Sequence, residues 1–70
     1  MKVIYDPDTD TLDMIFREGQ TVESDEERPG IILDFDADGN ILSIEVLEAS
    51  KKIGHPIGVS FEVVPSHSIT

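Results

Sequence analysis

Residues 30–47 read GIILDFDADGNILSIEVL, and the interpretation of this stretch decides the fold. From Asp34 to Glu45 the letters fit a calcium loop. Acidic residues stand at the first, third and fifth loop positions, glycine at the sixth and glutamate at the twelfth, as in an EF-hand. The same letters also carry the period of two that marks a β-strand. Ile31, Leu33 and Phe35 share one face before the turn, and Leu42, Ile44 and Val46 share one after it.

Geometry separates the two interpretations. An EF-hand needs a helix on each side of its loop, whereas these flanks alternate and are rich in β-branched residues. Asp38-Gly39 suits a two-residue type I′ hairpin turn. That turn sets Phe35 opposite Leu42, Leu33 opposite Ile44 and Ile31 opposite Val46, with Asp34 facing Ser43 and Ile32 facing Glu45 on the other side. Glu45 then lies level with Ile32, about 13 Å along the strand from Asp36 at ~3.3 Å per residue. Two carboxylates so placed cannot share one ion held at roughly 2.4 Å. A weaker cation site remains open at the acidic turn, with Asp34, Asp36 and Asp38 as its candidate ligands and Asn40 beside them. Plain turn chemistry, in which Asx side chains accept bonds from nearby backbone N–H groups, is the simpler role for them.

The hairpin has a fainter copy upstream. YDPDTDTLDMIF, starting at Tyr5, aligns with FDADGNILSIEV, starting at Phe35. The same register pairs Tyr5 with Leu12 and Val3 with Met14. Thr9 tolerates positive φ poorly, so a four-residue loop over 7–10 is expected, with Pro7 opening a type I turn. Asp6, Asp8 and Asp10 take the same turn assignment as the acids of the second hairpin.

Between the hairpins, Glu18-Gly19 marks a turn and residues 21–24 predict a short third strand. SDEERPG is expected as a charged, solvated loop closed by Pro29-Gly30. After Leu47, Glu48 or Ser50 opens a short helical segment that Gly54 ends, with Lys51 and Lys52 matching the helix dipole. Val59, Phe61 and Val63 alternate, which predicts a further strand over 58–64 before a loose tail. The expected fold class is therefore mainly β, or α+β: an antiparallel sheet of two hairpins plus a short extra strand, followed by a short helix. Residues 1–53 form the compact unit and 54–70 an extension.

Composition narrows the function. Fifteen acidic and five basic residues give a formal charge of −10. A field of that sign repels phosphate backbones and anionic membranes, so neither nucleic acid nor membrane is an expected partner. No apolar run approaches the ~20 residues of a membrane span, and the start of the chain lacks the apolar core of a signal peptide. A cytoplasmic location is the expectation, with any charged partner being basic. Cysteine is absent, which removes disulfides and thiol chemistry. His55 and His67 are expected as exposed loop residues. No Gly-x-Ser-x-Gly elbow or phosphate-binding glycine loop is present, and the five glycines are scattered singly. Asp34 and Glu45 on one sheet face need no more explanation than solvation, so no catalytic residue, cofactor or enzymatic activity is expected.

YDPDTDTLDMIF and PGIILDFDADGNILSIEVLEAS, with their spacing, resemble domain of unknown function 2283, a group of small prokaryotic proteins. The resemblance covers residues 3–50 and is most specific over 33–50. Ser43 departs from it, standing where that family commonly has glycine, and the chain continues past Lys52. The resemblance implies a compact β-rich domain and no established activity. Because members are sometimes encoded beside small toxin-like proteins, it also implies an antitoxin-type role.

A chain of this size buries only about 60% of its unfolded surface. A single sheet with a short helix leaves an apolar face made by Val3, Tyr5, Leu12, Met14, Phe16, Ile31, Leu33, Phe35, Leu42, Ile44 and Val46. The expected function is a non-catalytic interaction module that forms a homodimer or binds a dedicated, basic protein partner. The alternative is a divalent-cation, calcium-binding module built on the acidic turn from Asp34 to Asp38.

Overall fold

A computed structural model describes residues 1–55 and 57–67. Five strands and one short helix follow in order: β1 Lys2–Asp6, β2 Thr11–Ile15, β3 Glu23–Arg28, β4 Ile31–Phe35, β5 Ile41–Val46 and α1 Ala49–Lys52. They form one antiparallel sheet in the order β1-β2-β5-β4-β3. The two hairpins, β1–β2 and β4–β5, join through β2 and β5, with Leu12 opposite Val46 and Met14 opposite Ile44. Period-two alternation builds this sheet because each strand has one apolar face to bury.

The first hairpin has the expected register, Val3 facing Met14 and Tyr5 facing Leu12. Its four-residue loop lies between Asp6 and Thr11, which face each other. Asp10 takes the positive φ in that loop, at 53°, as a short polar side chain can.

The second hairpin differs from expectation at its tip. Ile31–Val46, Ile32–Glu45, Leu33–Ile44 and Asp34–Ser43 pair as the sequence suggests, but Phe35 faces Ile41 and not Leu42. The turn is not type I′: Gly39 has φ 82°, and Asp38 does not have positive φ. The Gly39 N–H donates to Asp36 O at 3.1 Å and the Asp36 N–H to Asn40 O at 3.0 Å. These bonds define a three-residue loop over 37–39, a type I turn followed by a left-handed glycine. The odd loop length shifts the pairing by one residue, and an irregularity between Asp34 and Phe35 shifts it back. Leu42 is the residue left without a partner. Its carbonyl turns instead to β2's exit, accepting the Phe16 N–H at 2.8 Å.

The larger correction concerns the charged segment. SDEERPG is not a loop: Glu23–Arg28 forms β3, every residue of it exposed, at the sheet's edge. It pairs with β4 through Glu23–Phe35, Asp25–Leu33 and Arg28–Ile31. Pro29-Gly30 closes the hairpin, with Gly30 at φ 82°, the pattern of a type II turn. The expected start of this strand at residue 21 moves two residues on.

The helix forms where expected, between Glu48 and Gly54. The Ile53 N–H donates to Ala49 O at 2.8 Å and the Gly54 N–H to Ser50 O at 3.1 Å. Ala49 is fully buried and anchors the core with Leu12 and Val46, against which Val3, Tyr5, Ile44 and Ile57 pack. Leu42 is buried separately beneath Gly19, where an added Cβ would come within 3.1 Å of Leu42 Cδ2.

The further strand over 58–64 is not formed. Phe61 and Val63 remain 76% and 74% exposed, since no strand of the sheet pairs with this segment. This segment instead runs beside β1 and β2, where Val59, Ser60 and Phe61 border a cavity of about 450 Å³ with Met1, Val3 and Met14. A compact chain of 70 residues would have a radius of gyration near 11 Å; this one measures 14.7 Å. Among the described residues the sheet is a single layer without a second one packed across it. No described helix is long and apolar enough to cross a membrane.

Candidate functional site

Directly paired residues in an antiparallel sheet project to the same face, so the pairing defines two contrasting surfaces. On one, Val3, Met14, Ile44, Leu33 and Asp25 form a row across all five strands. Tyr5, Leu12, Val46, Ile31 and Arg28 form the row beside it. Each row is apolar for four strands and charged on β3, where Glu23 adds a further acid opposite Phe35. The helix closes over the Leu12–Val46 end through Ala49. Val3, Met14, Ile44, Leu33 and Phe35 stay half-buried.

The other surface is acidic. Ile4, Asp13, Glu45, Ile32 and Glu26 make one row; Lys2, Ile15, Ser43, Asp34 and Ser24 make the next. Asp13 and Glu45 face each other directly. Partial burial raises the Glu45 carboxyl above its ordinary range, and the nearby Asp13 and Asp34 charges push it the same way.

Two of the three candidate cation ligands have carboxylates committed to the fold, each in a different way. Asp34 accepts from the Ser24 hydroxyl through Oδ1 and from the Ser43 hydroxyl through Oδ2 at 2.9 Å. One carboxylate thus ties β3, β4 and β5 together. Asp36 lies in the turn, where its Oδ1 accepts the Asp38 and Asn40 backbone N–H groups, each at 2.9 Å, and its Oδ2 accepts Asn40 Nδ2 at 3.0 Å. Those bonds, the Asn40 side chain's first, hold its carboxyl below the ordinary range. Asp38 is exposed at the tip. Among the described residues, no three His, Asp or Glu side chains are grouped in a way that could hold a metal ion. His55 and His67 are both exposed.

The first hairpin repeats part of this chemistry. Asp6 Oδ1 accepts the Asp8 N–H at 2.9 Å, the same bond that Asp36 makes with Asp38. Asp10 does something the sequence did not suggest. Its Oδ1 accepts the Tyr5 hydroxyl at 2.7 Å and the Ser50 N–H at 3.0 Å, and its Oδ2 accepts the Ser50 hydroxyl at 2.7 Å. Its backbone carbonyl also accepts the Ala49 N–H at 2.8 Å. The Ser50 and Tyr5 hydroxyls lower the Asp10 carboxyl, and Asp10 in turn raises the Tyr5 phenol. One turn residue therefore holds the helix against the first hairpin. The available signals were a polar residue suited to positive φ at the loop's end and a serine at the helix start, and neither specifies the other as its partner.

These features define a class: a small single-sheet β protein with one closed end, one half-open apolar face and one acidic face. The chain belongs to the family of proteins of unknown function DUF2283, which it matches over residues 2–50. It is also 35% identical over 51 residues to an uncharacterized protein of Methanocaldococcus jannaschii, covering 73% of this chain and 43% of that relative. The chain thus spans less than half the length of the curated relative it matches. No solved structure matches it. The family match ends inside α1, so Asp10, Ala49 and Ser50 lie within the matched residues, whereas Lys51 and Lys52 lie beyond them.

Proposed function

We propose that this chain is a non-catalytic, cytoplasmic protein-interaction module whose apolar sheet face receives a basic protein partner. The observation supporting this reading is the row Val3, Met14, Ile44 and Leu33, half-buried across four strands and ending in Asp25 on the fifth. Contiguous apolar surface rimmed by polar residues is the usual mark of an interaction site in a small protein. The formal charge of −10 favours encounter with a cationic partner and repels an anionic one, and Glu23 and Asp25 border the apolar face.

The test is capture from an extract of the source cells with the full chain, compared with Met14→Lys and Leu33→Glu on the face and Ile32→Lys on the opposite surface. Circular dichroism confirms that each variant is folded. The wild type and Ile32→Lys should retain the same basic protein, and both face variants should lose it. Equal capture by all four chains, or none above background, contradicts the reading.

A further inference from the structure

The sheet has two edges, and the sequence treats them differently. β3 is ESDEER, exposed throughout, with an irregularity between Glu26 and Arg28. Charge and a bulge are the devices by which an edge avoids pairing with another chain. β1 is KVIYD and has neither proline nor bulge, pairing with β2 without interruption over five residues. Its outer side has no strand neighbour, and among the described residues no loop backbone bonds to it.

β1 is also complementary to itself. Suppose two copies pair antiparallel about a twofold axis at Ile4, perpendicular to the sheet. Ile4 then faces Ile4 of the second copy, Val3 faces the second copy's Tyr5, and Lys2 faces the second copy's Asp6. Ile4 is 40% exposed and is the only large apolar side chain within a strand to be left so open among the described residues; this pairing covers it. Val3 and Tyr5 already belong to the apolar face, so that face would continue from one copy into the next. Other registers forfeit these matches. A slip of one residue sets the apolar face of one copy beside the acidic face of the other. A slip of two puts Lys2 or Asp6 opposite Ile4.

We propose that two copies of this chain join through their β1 edges, antiparallel and centred on Ile4, into one sheet with a single apolar face. This surface is distinct from the partner-binding face above, and the dimer stands or falls independently of that partner. Symmetric pairing of one patch with itself is the commonest way that soluble chains associate. Opposite charges at both ends of the strand fix its register.

Sedimentation equilibrium on the full chain, near 0.15 M salt where a Debye length of about 8 Å screens the two net charges, tests the proposal. Wild type should be in monomer–dimer equilibrium at submillimolar concentration. Lys2→Glu sets Glu against Asp6 at two symmetric positions, and Asp6→Lys sets Lys against Lys2; each should raise the dissociation constant roughly tenfold or more. An equimolar mixture of the two variants should recover the dimer, because Glu then faces Lys and Asp6 faces Lys2. Should Asp6→Lys not fold, having lost its bond to Asp8, Ile4→Lys takes its place as a second dimer-breaking variant. A wild-type chain that stays monomeric overturns the proposal. So do folded variants that dimerise as well as wild type, or folded Lys2→Glu and Asp6→Lys chains whose mixture stays monomeric.

Discussion

Ser50 reaches Asp10 across forty positions of the sequence and binds it twice, through its amide to Oδ1 at 3.0 Å and its hydroxyl to Oδ2 at 2.7 Å. With the Tyr5 hydroxyl also on Oδ1, the carboxylate joins β1, the first turn and the helix. The four-residue α1 is too short to persist alone. Its order comes from this carboxylate and from burial of Ala49.

Replacing Asp10 with alanine should therefore lower the melting temperature by several degrees and release residues 49–52, seen as faster amide exchange at Ala49 and Ser50. Asp10→Asn keeps the tolerance for positive φ and one acceptor oxygen while losing the charge and the Oδ2 that accepts the Ser50 hydroxyl, so its loss should be smaller. The carboxyl is depressed in the folded chain, so the folded state binds its proton less readily than the unfolded one. The stability it provides is complete above about pH 4 and is lost as pH falls through the depressed value. The acid limb of a melting curve against pH should flatten in Asp10→Asn.

Glu45 predicts the opposite sign. Its carboxyl is raised by partial burial and by Asp13 and Asp34, so the ionised form costs stability at neutral pH. Lowering the pH through the raised value relieves that cost, and relief is complete below the unfolded value near 4.3. Glu45→Gln should stabilise the chain by about 0.5 kcal/mol at pH 7, by urea unfolding, and the gain should vanish below about pH 4.

Gly39 isolates a backbone effect. Its φ is 82°, and an added Cβ would meet nothing within 4 Å. Gly39→Ala should cost about 1–2 kcal/mol through left-handed strain alone, with the m-value of urea unfolding unchanged. No loss would mean that the turn switches type at no cost.

The charged edge makes a kinetic prediction. Glu23 and Asp25 lie on the apolar side of β3, opposite Phe35 and Leu33. Changing both to valine widens the apolar face and removes the charge that blocks pairing. The double variant should hold or gain thermal stability yet aggregate by light scattering at concentrations where the wild type stays clear.

Most of the sheet was legible in the sequence because its inner strands bury one face, and burial leaves a period of two. Leu33 opposite Ile44 and Val3 opposite Met14 could be deduced from that period together with the positions of the turns. The tip of the second hairpin was not legible in the same way. A three-residue loop and a compensating irregularity at Leu42 give the same inner register as the two-residue turn expected there. The run of β3 beyond Ser24 was illegible for a physical reason: an exposed edge strand is held by backbone bonds, which ESDEER makes without burying a side chain. Residues 58–64 are the converse, with alternation and no ladder. Of the candidate site, the turn role of Asp36 could be read, since Asx side chains bond locally. The pairing of Asp10 with Ser50 is tertiary and left no local trace. The family match adds a boundary at residue 50 and an uncharacterized relative.

The central claim is that another protein covers the apolar face. Hydroxyl-radical footprinting read by mass spectrometry, on the chain purified and on the chain in an extract of its source cells, addresses it most directly. Met14 and Leu33 should react several-fold more slowly in the extract, while Ile32, on the opposite surface, reacts equally in both. Equal reactivity of Met14 and Leu33 in the two samples would contradict the claim.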